Sequence, residues 1–506
     1  MASGYRTGES RMGESRTGES KADENRMSEK GKTFVGFGFG PIQSGLFLYE
    51  ASRSGNFNRF VVVDVDTELV DALRKNGGTY YINIARENGI DTEEISGVEI
   101  FNPNVPEDRE HIIEAISQSD EMCTALPSVG FYDRGESANV ARLIAEGLIR
   151  RWRRQPAVMK PTIVYSAENN NHAAEILLEG IKRKIGETAE IRGTGQIGEI
   201  GGTGQIGEIG GSYDYAYEDE AGLFDSLQCL NTVIGKMSGV IRDAETIEEL
   251  SLAPFVPGVE RAFLVEEFNK IYISRIRLKG YSRGIEVFIE KDDLLPFEEA
   301  KLYGHNSIHA LIAYLGDVKG YTTIAEAGRD AWIMERARKA FLEESGGALV
   351  RKYEKLGDAL FTDWGYMGYA EDLLKRMVNP FLHDSIERVG RDRPRKLGME
   401  DRIFGTMRLA LEYGIEPINL SLGAAAAIVS MIRRRDTGSK RELVFPEDTE
   451  SWRYLSRREI ANILYTIWGK SSGVGKSGEK KTERLAERLI DLTFEGYKVL
   501  KEELGW

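Results

Sequence analysis

An apolar run that breaks into regularly spaced glycines constrains this chain more than any other feature. Residues 32–45 read KTFVGFGFGPIQSG. Residues 32–37 suit a buried strand and 43–53 a helix, so Gly38 and Gly40 mark a tight strand-to-helix turn. They are the first two positions of a G-x-G-x-x-G pattern. The first glycine permits the turn, and the second lets the backbone approach a pyrophosphate held by the helix N-terminus. Gln43 stands at the third position, with Gly45 two residues later. Residues 59–65, RFVVVDV, form a β-branched run of the kind a buried parallel strand needs. Asp64, near its end, lies 24 residues after Gly40. A carboxylate there suits a ribose 2′-hydroxyl and repels a 2′-phosphate, so the pattern points to NAD over NADP. The plainer reading is that the glycines only shape a turn and Asp64 is a solvated strand end.

The rest of the first half continues the alternation. An amphipathic helix is expected at 67–75 and a buried strand at 162–166 (TIVYS). Alternation of this kind predicts an α/β fold with a Rossmann-type doubly wound parallel sheet. From about residue 293 the pattern becomes helical, with apolar residues at helical spacing over 298–315, 331–355, 401–413 and 482–504. Residues 263–289 are candidates for strands between the halves. The expected organisation is a repeat tail over 1–31, a dinucleotide-binding domain over 32–235 and a mainly helical domain over 236–506. The tail is a degenerate pentapeptide repeat with almost nothing to bury, so disorder is expected. GTGQIGEIG occurs twice between residues 193 and 210. Two copies are too few to stack into a solenoid, so a flexible insertion over about 188–218 is expected. The glycine- and lysine-rich patch at 469–481 lacks phosphate-loop spacing.

A chain of 506 residues is long enough for two cores. Its 67 basic against 81 acidic residues, a net charge of −14, argue against a general nucleic-acid binder or a polybasic membrane-surface protein. The two cysteines, Cys123 and Cys229, cannot build a disulfide framework or a thiolate zinc site. No apolar run has the length of a membrane span, and no signal peptide is visible. A cytoplasmic protein is expected.

Residues 301–309, KLYGHNSIH, hold two of the five histidines. On an ideal helix His305 lies about 40° from Lys301, His309 about 80° and Asn306 about 140°, so all could reach one pocket. Lysine is a poor base at its free pKa, but burial lowers it toward neutrality. A neighbouring amide can donate to a carbonyl or developing alkoxide. Two rival readings remain open. His305 and His309 have the i, i+4 spacing of metal ligands, without the glutamate of a metalloprotease helix or an evident third ligand. The group could equally be structural polar residues on a half-buried helix.

The run KLYGHNSIHALIAYLG resembles the K-x-x-x-x-N-x-x-H signature of the mannitol dehydrogenase family of polyol-specific long-chain dehydrogenases. The resemblance extends from about residue 32 to the C-terminus, outside the repeats. It includes the glycine turn, Ser166-Ala167-Glu168-Asn169, the stretches 379–381 and 385–391, 395–397 and 411–414. It implies a monomer with a Rossmann domain and a helical domain and the active site between them, working with NAD and without a metal. Lys301 would be the general base, Asn306 and Asn169 would hold the reacting oxygen, and His309 would orient the substrate. Gly38, Phe39, Gly40, Pro41, Ile42, Gln43, Asp64 and Thr124 would bind the cofactor. Arg388, Arg395 and Lys396 would bind the substrate, and guanidinium groups there suit a phosphate. The implied reaction interconverts mannitol 1-phosphate and fructose 6-phosphate. A free polyol or a hexuronate in the same chemistry, or a nucleotide-binding protein without turnover, are the alternatives. One departure bears on substrate choice: Gly235 and Lys236 stand where the family has an Asp–Arg pair.

Overall fold

The structure, a computed structural model, describes residues 31–155, 159–194, 223–438, 442–445, 448, 450–469 and 479–506. Residues 1–30 of the repeat tail, most of the expected insertion and residues 470–478 of the 469–481 patch lie outside the described residues. The helix Ala173–Thr194 enters the segment expected as insertion.

Six parallel strands form the scaffold: β1 (Lys32–Phe37), β2 (Phe57–Val63), β5 (Val98–Phe101), β6 (Glu121–Thr124), β7 (Thr162–Ser166) and β8 (Leu227–Val233). Their order across the sheet is β8-β7-β6-β1-β2-β5. Strand order therefore reverses between β1 and β6, the switch point at which such sheets open a crevice beyond their carboxyl ends. The strands are nearly continuous apolar runs because both faces are covered. One face packs on the helices Pro106–Gln118, Val140–Arg154 and Ala173–Thr194 through Val35, Phe37, Val61, Met122 and Val164. The other face packs, through Phe34, Val62, Ile163 and Tyr165, into a core rich in aromatic residues.

That second core is closed by a layer that the expected alternation did not include. β3 (Tyr80–Ala85), β4 (Ile90–Ile95), β9 (Ser238–Ile241) and β10 (Ala262–Glu266) form a separate four-stranded sheet in the order β4-β3-β10-β9. β11 (Tyr272–Ser274) pairs antiparallel with β8, and β12 (Ile289–Lys291) pairs parallel with β11. The boundary expected at 235/236 thus falls inside the strand-bearing half, which runs on to Lys291. The reason is physical: β8 would otherwise be an open edge, and its partners come from later in the chain.

The second half is helical. Ile418–Arg434 runs through its centre, is buried from Leu420 to Ile432, and packs between Asn306–Lys319 and Glu479–Leu504. Its small face (Gly423 to Ala427) permits the close approach: a Cβ on Gly423 would lie 3.2 Å from Leu311. Among the described residues no helix is long and apolar enough to cross a membrane.

Candidate active site

Gly38 has φ +80°, and a Cβ there would sit 2.8 Å from the Ala125 carbonyl oxygen, so the turn requires glycine. A Cβ on Gly40 would meet nothing within 4 Å, so the protein itself does not demand that glycine. Open space over backbone is what a ligand approaching closely would use. Asp64 follows β2 and reaches across to the turn: its Oδ2 accepts from Phe39 N–H at 2.7 Å and its Oδ1 from Asp66 N–H at 2.9 Å. The missing third glycine is compensated twice. Gln43 lies against β1 over Gly36, where a Cβ would stand 2.0 Å from its amide nitrogen. Gly45 provides the close packing instead, against Val265 of β10 at 2.7 Å.

Three expected cofactor residues are placed differently. The Phe39 ring is buried edge-on against Tyr80 and Phe255, with centroids 5.1 and 5.0 Å away, so only its backbone faces the turn. Gln43 is fully buried, and its amide nitrogen and oxygen have no hydrogen-bond partner among the described residues. Thr124 is fully buried beneath the crevice and donates to Glu168 at 2.8 Å, which leaves its hydroxyl no open surface. Pro41 and Ile42 are half-buried at the start of the helical segment.

Lys301 lies in a π-helical segment, Ala300–His305, set between the α-helices Leu295–Glu299 and Asn306–Lys319. The wider turn changes the angles expected for an ideal helix, and such insertions recur at functional sites. Lys301 Nζ donates to Asn169 Oδ1 at 3.4 Å, bridging the helical half and the end of β7. It is half-buried, and burial, reinforced by the Arg402 guanidinium, pushes its pKa down to about 8. Asn306 carries no side-chain hydrogen bond among the described residues. His305 is buried and held neutral, first by burial and then by His309 and nearby cations. His309 Nε2 approaches Asp384 Oδ2 at 3.3 Å. Among the described residues no group of three His, Cys, Asp or Glu side chains could hold a metal ion.

The basic residues divide. Arg388 donates to Asp384 Oδ1 at 2.8 Å through Nε, and Arg395 pairs with Asp392 and Asp401. Both guanidinium groups are paired with carboxylates and remain partly exposed. Lys396 is buried, donates to the Val389 carbonyl, and is pushed down to about 7 by burial and by Arg402 and Arg395.

Four residues were not singled out from the sequence. Asp384 follows His383, a non-glycine residue at φ +46°, and is pinned because its carbonyl accepts from Ile324 N–H. Burial works to raise its carboxyl, but His309 and Arg388 overcome that and hold it low. The signal was its position four residues before Arg388. Glu168, beside Asn169, accepts from Leu126 N–H, Thr124 and Tyr132, so it fixes the loop over β6. Glu298, three residues before Lys301, is pushed up to about 7 by burial. Arg402 lies in the loop before the helix Phe404–Glu412, held by Asp401 at 2.8 Å, and nothing in its sequence context marks it.

Residues 293–456 match the mannitol dehydrogenase C-terminal domain. The matched segment begins where β12 ends and contains the whole Lys301–His309 run. Over that segment the chain is similar to the mannitol dehydrogenase family. Mannitol-1-phosphate 5-dehydrogenase of Caldanaerobacter subterraneus subsp. tengcongensis is 28% identical over 397 residues, covering 78% of this chain and 85% of that one. The enzyme of the same name from Buchnera aphidicola subsp. Acyrthosiphon pisum is 28% identical over 394 residues, covering 77% and 84%. Two solved structures share the fold. A substrate-free D-sorbitol dehydrogenase gives a TM-score of 0.63 at 15% identity, over 93% of this chain and 94% of that one. Mannitol 2-dehydrogenase of Pseudomonas fluorescens, a ternary complex with NAD and D-mannitol, gives 0.60 at 14%, over 94% and 95%. The similarity to these relatives and the shared fold extend over both halves, and the Rossmann-plus-helical architecture expected from the sequence is the one observed.

Proposed function

We propose that this protein is an NAD-dependent oxidoreductase that interconverts mannitol 1-phosphate and fructose 6-phosphate. The observation that carries the reading is the meeting of Lys301 and Asn169 across the cleft at 3.4 Å, with the ammonium pushed down to about 8. A lysine in that range can give or take a proton near neutral pH. The glycine turn fits a dinucleotide: Gly38 is required by the turn, Gly40 leaves space over its backbone, and Asp64 sits at the turn's edge. NAD, when bound there, supplies the hydride acceptor or donor.

The chain's own residues do the rest. In oxidation, neutral Lys301 Nζ takes the proton of the substrate hydroxyl; in reduction its ammonium returns it. Asn169 Oδ1 accepts from Lys301, which leaves the Asn169 amide N–H free to donate to the reacting oxygen. Asn306 has both amide hydrogens available for the same oxygen. His309, steadied by Asp384 and through it by Arg388, orients a neighbouring hydroxyl. Glu298, pushed up to about 7 by burial, lies within electrostatic reach of Lys301. The names of the 28%-identical relatives support the phosphorylated substrate over a free polyol. The test is NADH oxidation with fructose 6-phosphate, with fructose and a hexuronate alongside. Turnover with fructose 6-phosphate that Lys301→Ala abolishes is expected. No turnover, or turnover indifferent to Lys301, refutes the reading.

A further inference from the structure

A cavity of about 560 Å³ opens between the edge of the large sheet and the helix Asp363–Met377, and Lys301 and His305 lie in its wall. Gly235, just after β8, forms part of the opposite wall. A Cβ at Gly235 would stand in ordinary contact with the Phe268 ring at 3.7 Å, so a side chain here fits without a clash but takes up cavity volume beside that ring. The cavity's carboxylates are spoken for: Asp358 pairs with Lys291, and Asp372 with Arg376 at 3.1 Å. Arg376 is itself engaged. It donates to both Glu266 oxygens at 2.6 and 2.9 Å and to the Gly235 carbonyl at 2.8 Å. Two cations remain without an ion pair among the described residues, Lys301 and Lys270. Uncompensated positive charge around open volume beside a reacting centre selects for negative charge in the ligand.

We propose that the space at Gly235, faced by Lys270, is the subsite for an anionic terminus of the substrate, and that the lack of a side chain at Gly235 admits it. This rests on the oxidoreductase reading and adds to it the residue that sets substrate class. Phosphate and carboxylate share the chemistry; fructose 6-phosphate and fructuronate distinguish them.

The experiment compares wild type with Gly235→Asp, Gly235→Asn and Lys270→Gln, using fructose 6-phosphate, fructuronate and fructose with NADH. The readout is the ratio of kcat/KM for each anionic substrate to that for fructose. In wild type one anionic substrate exceeds fructose at least tenfold. Gly235→Asp lowers that ratio at least tenfold, about 1.4 kcal/mol, and Lys270→Gln lowers it at least threefold. Gly235→Asn, matched in shape without the charge, lowers it less than Asp does. A ratio unchanged in both Gly235→Asp and Lys270→Gln, an equal fall in Asn and Asp, or a wild type that prefers fructose overturns the proposal. Calorimetric titration of fructose 6-phosphate and fructuronate into the NADH-loaded protein separates the two readings if no substrate turns over. Binding of either that Gly235→Asp weakens at least tenfold then upholds the subsite while the oxidoreductase reading fails. Absent or unaltered binding overturns both.

Discussion

The pH profile of the reaction should report Lys301, and Arg402 should set where it falls. The ammonium stands at about 8 against an ordinary 10.5. At pH 7 that raises the neutral fraction about 300-fold, from roughly 0.03% to roughly 10%. Burial is the larger cause and the Arg402 guanidinium the second. Oxidation needs the neutral amine, so kcat/KM for polyol oxidation should rise with pH and level off above about 8. Reduction needs the ammonium, so its profile should fall above the same midpoint. Replacing Arg402 by Gln removes a positive charge, makes the ammonium easier to keep, and moves both midpoints upward. Arg402 ranks second to burial among the causes, and one such charge near a partly buried site is worth on the order of 1 kcal/mol. The expected displacement is therefore about one pH unit, which steady-state assays over pH 6–10.5 resolve easily. A midpoint that stays put in Arg402→Gln, or a wild-type midpoint at the free-lysine value, refutes the electrostatic reasoning.

Other consequences follow from the same geometry. Asp384→Asn keeps the shape but removes the charge that faces His309, so kcat/KM should fall by ~10–100-fold with little change in cofactor affinity; an activity within twofold of wild type would show that His309 needs no such partner. Gly38→Ala must hold a Cβ at φ +80° and 2.8 Å from the Ala125 oxygen. It should destabilise the turn by ~1–3 kcal/mol and weaken NADH binding, read by fluorescence titration. Lys301→Met, of similar size and uncharged, should be inactive yet more stable by ~1–3 kcal/mol at pH 7. The sign follows because the folded pKa lies below the unfolded one. The cost of the buried ammonium is full below about 8 and disappears by about 10.5. The stability gap in urea melts should therefore close between those values, and a constant gap would contradict it.

The sheet was legible where its strands are buried on both faces. RFVVVDV and TIVYS carry continuous β-branched or apolar runs because parallel strands leave no solvent side, and both became strands of the large sheet. The small sheet was not legible. β3 and β4 are contiguous, but β9 and β10 arrive about 140 residues after β4, and only tertiary pairing unites them. The same non-local pairing moved the end of the first half from residue 235 to Lys291. In the candidate site, the signature run places Lys301, Asn306 and His309 on one continuous helical stretch, Lys301 in its π-helical turn and the other two in the α-helix that follows. Its π-helical turn left no mark in the sequence. The partners of the substrate arginines were not legible, because a sequence shows a guanidinium but not its carboxylate: Asp384 pairs with Arg388, and Asp392 and Asp401 pair with Arg395. Gln43 illustrates the reverse case. Its departure from the glycine pattern is absorbed by Gly36 and Gly45, each of which makes room that the pattern places elsewhere.

The most direct test of the account is a single comparison, NADH oxidation with fructose 6-phosphate by wild type and by Lys301→Ala, followed from pH 6 to 10. The account predicts turnover in wild type that declines above about pH 8 and a loss of at least 10³-fold in the variant, with NADH binding retained. Comparable rates in the two proteins would contradict it, because the lysine across from Asn169 would then not be the group that moves the proton.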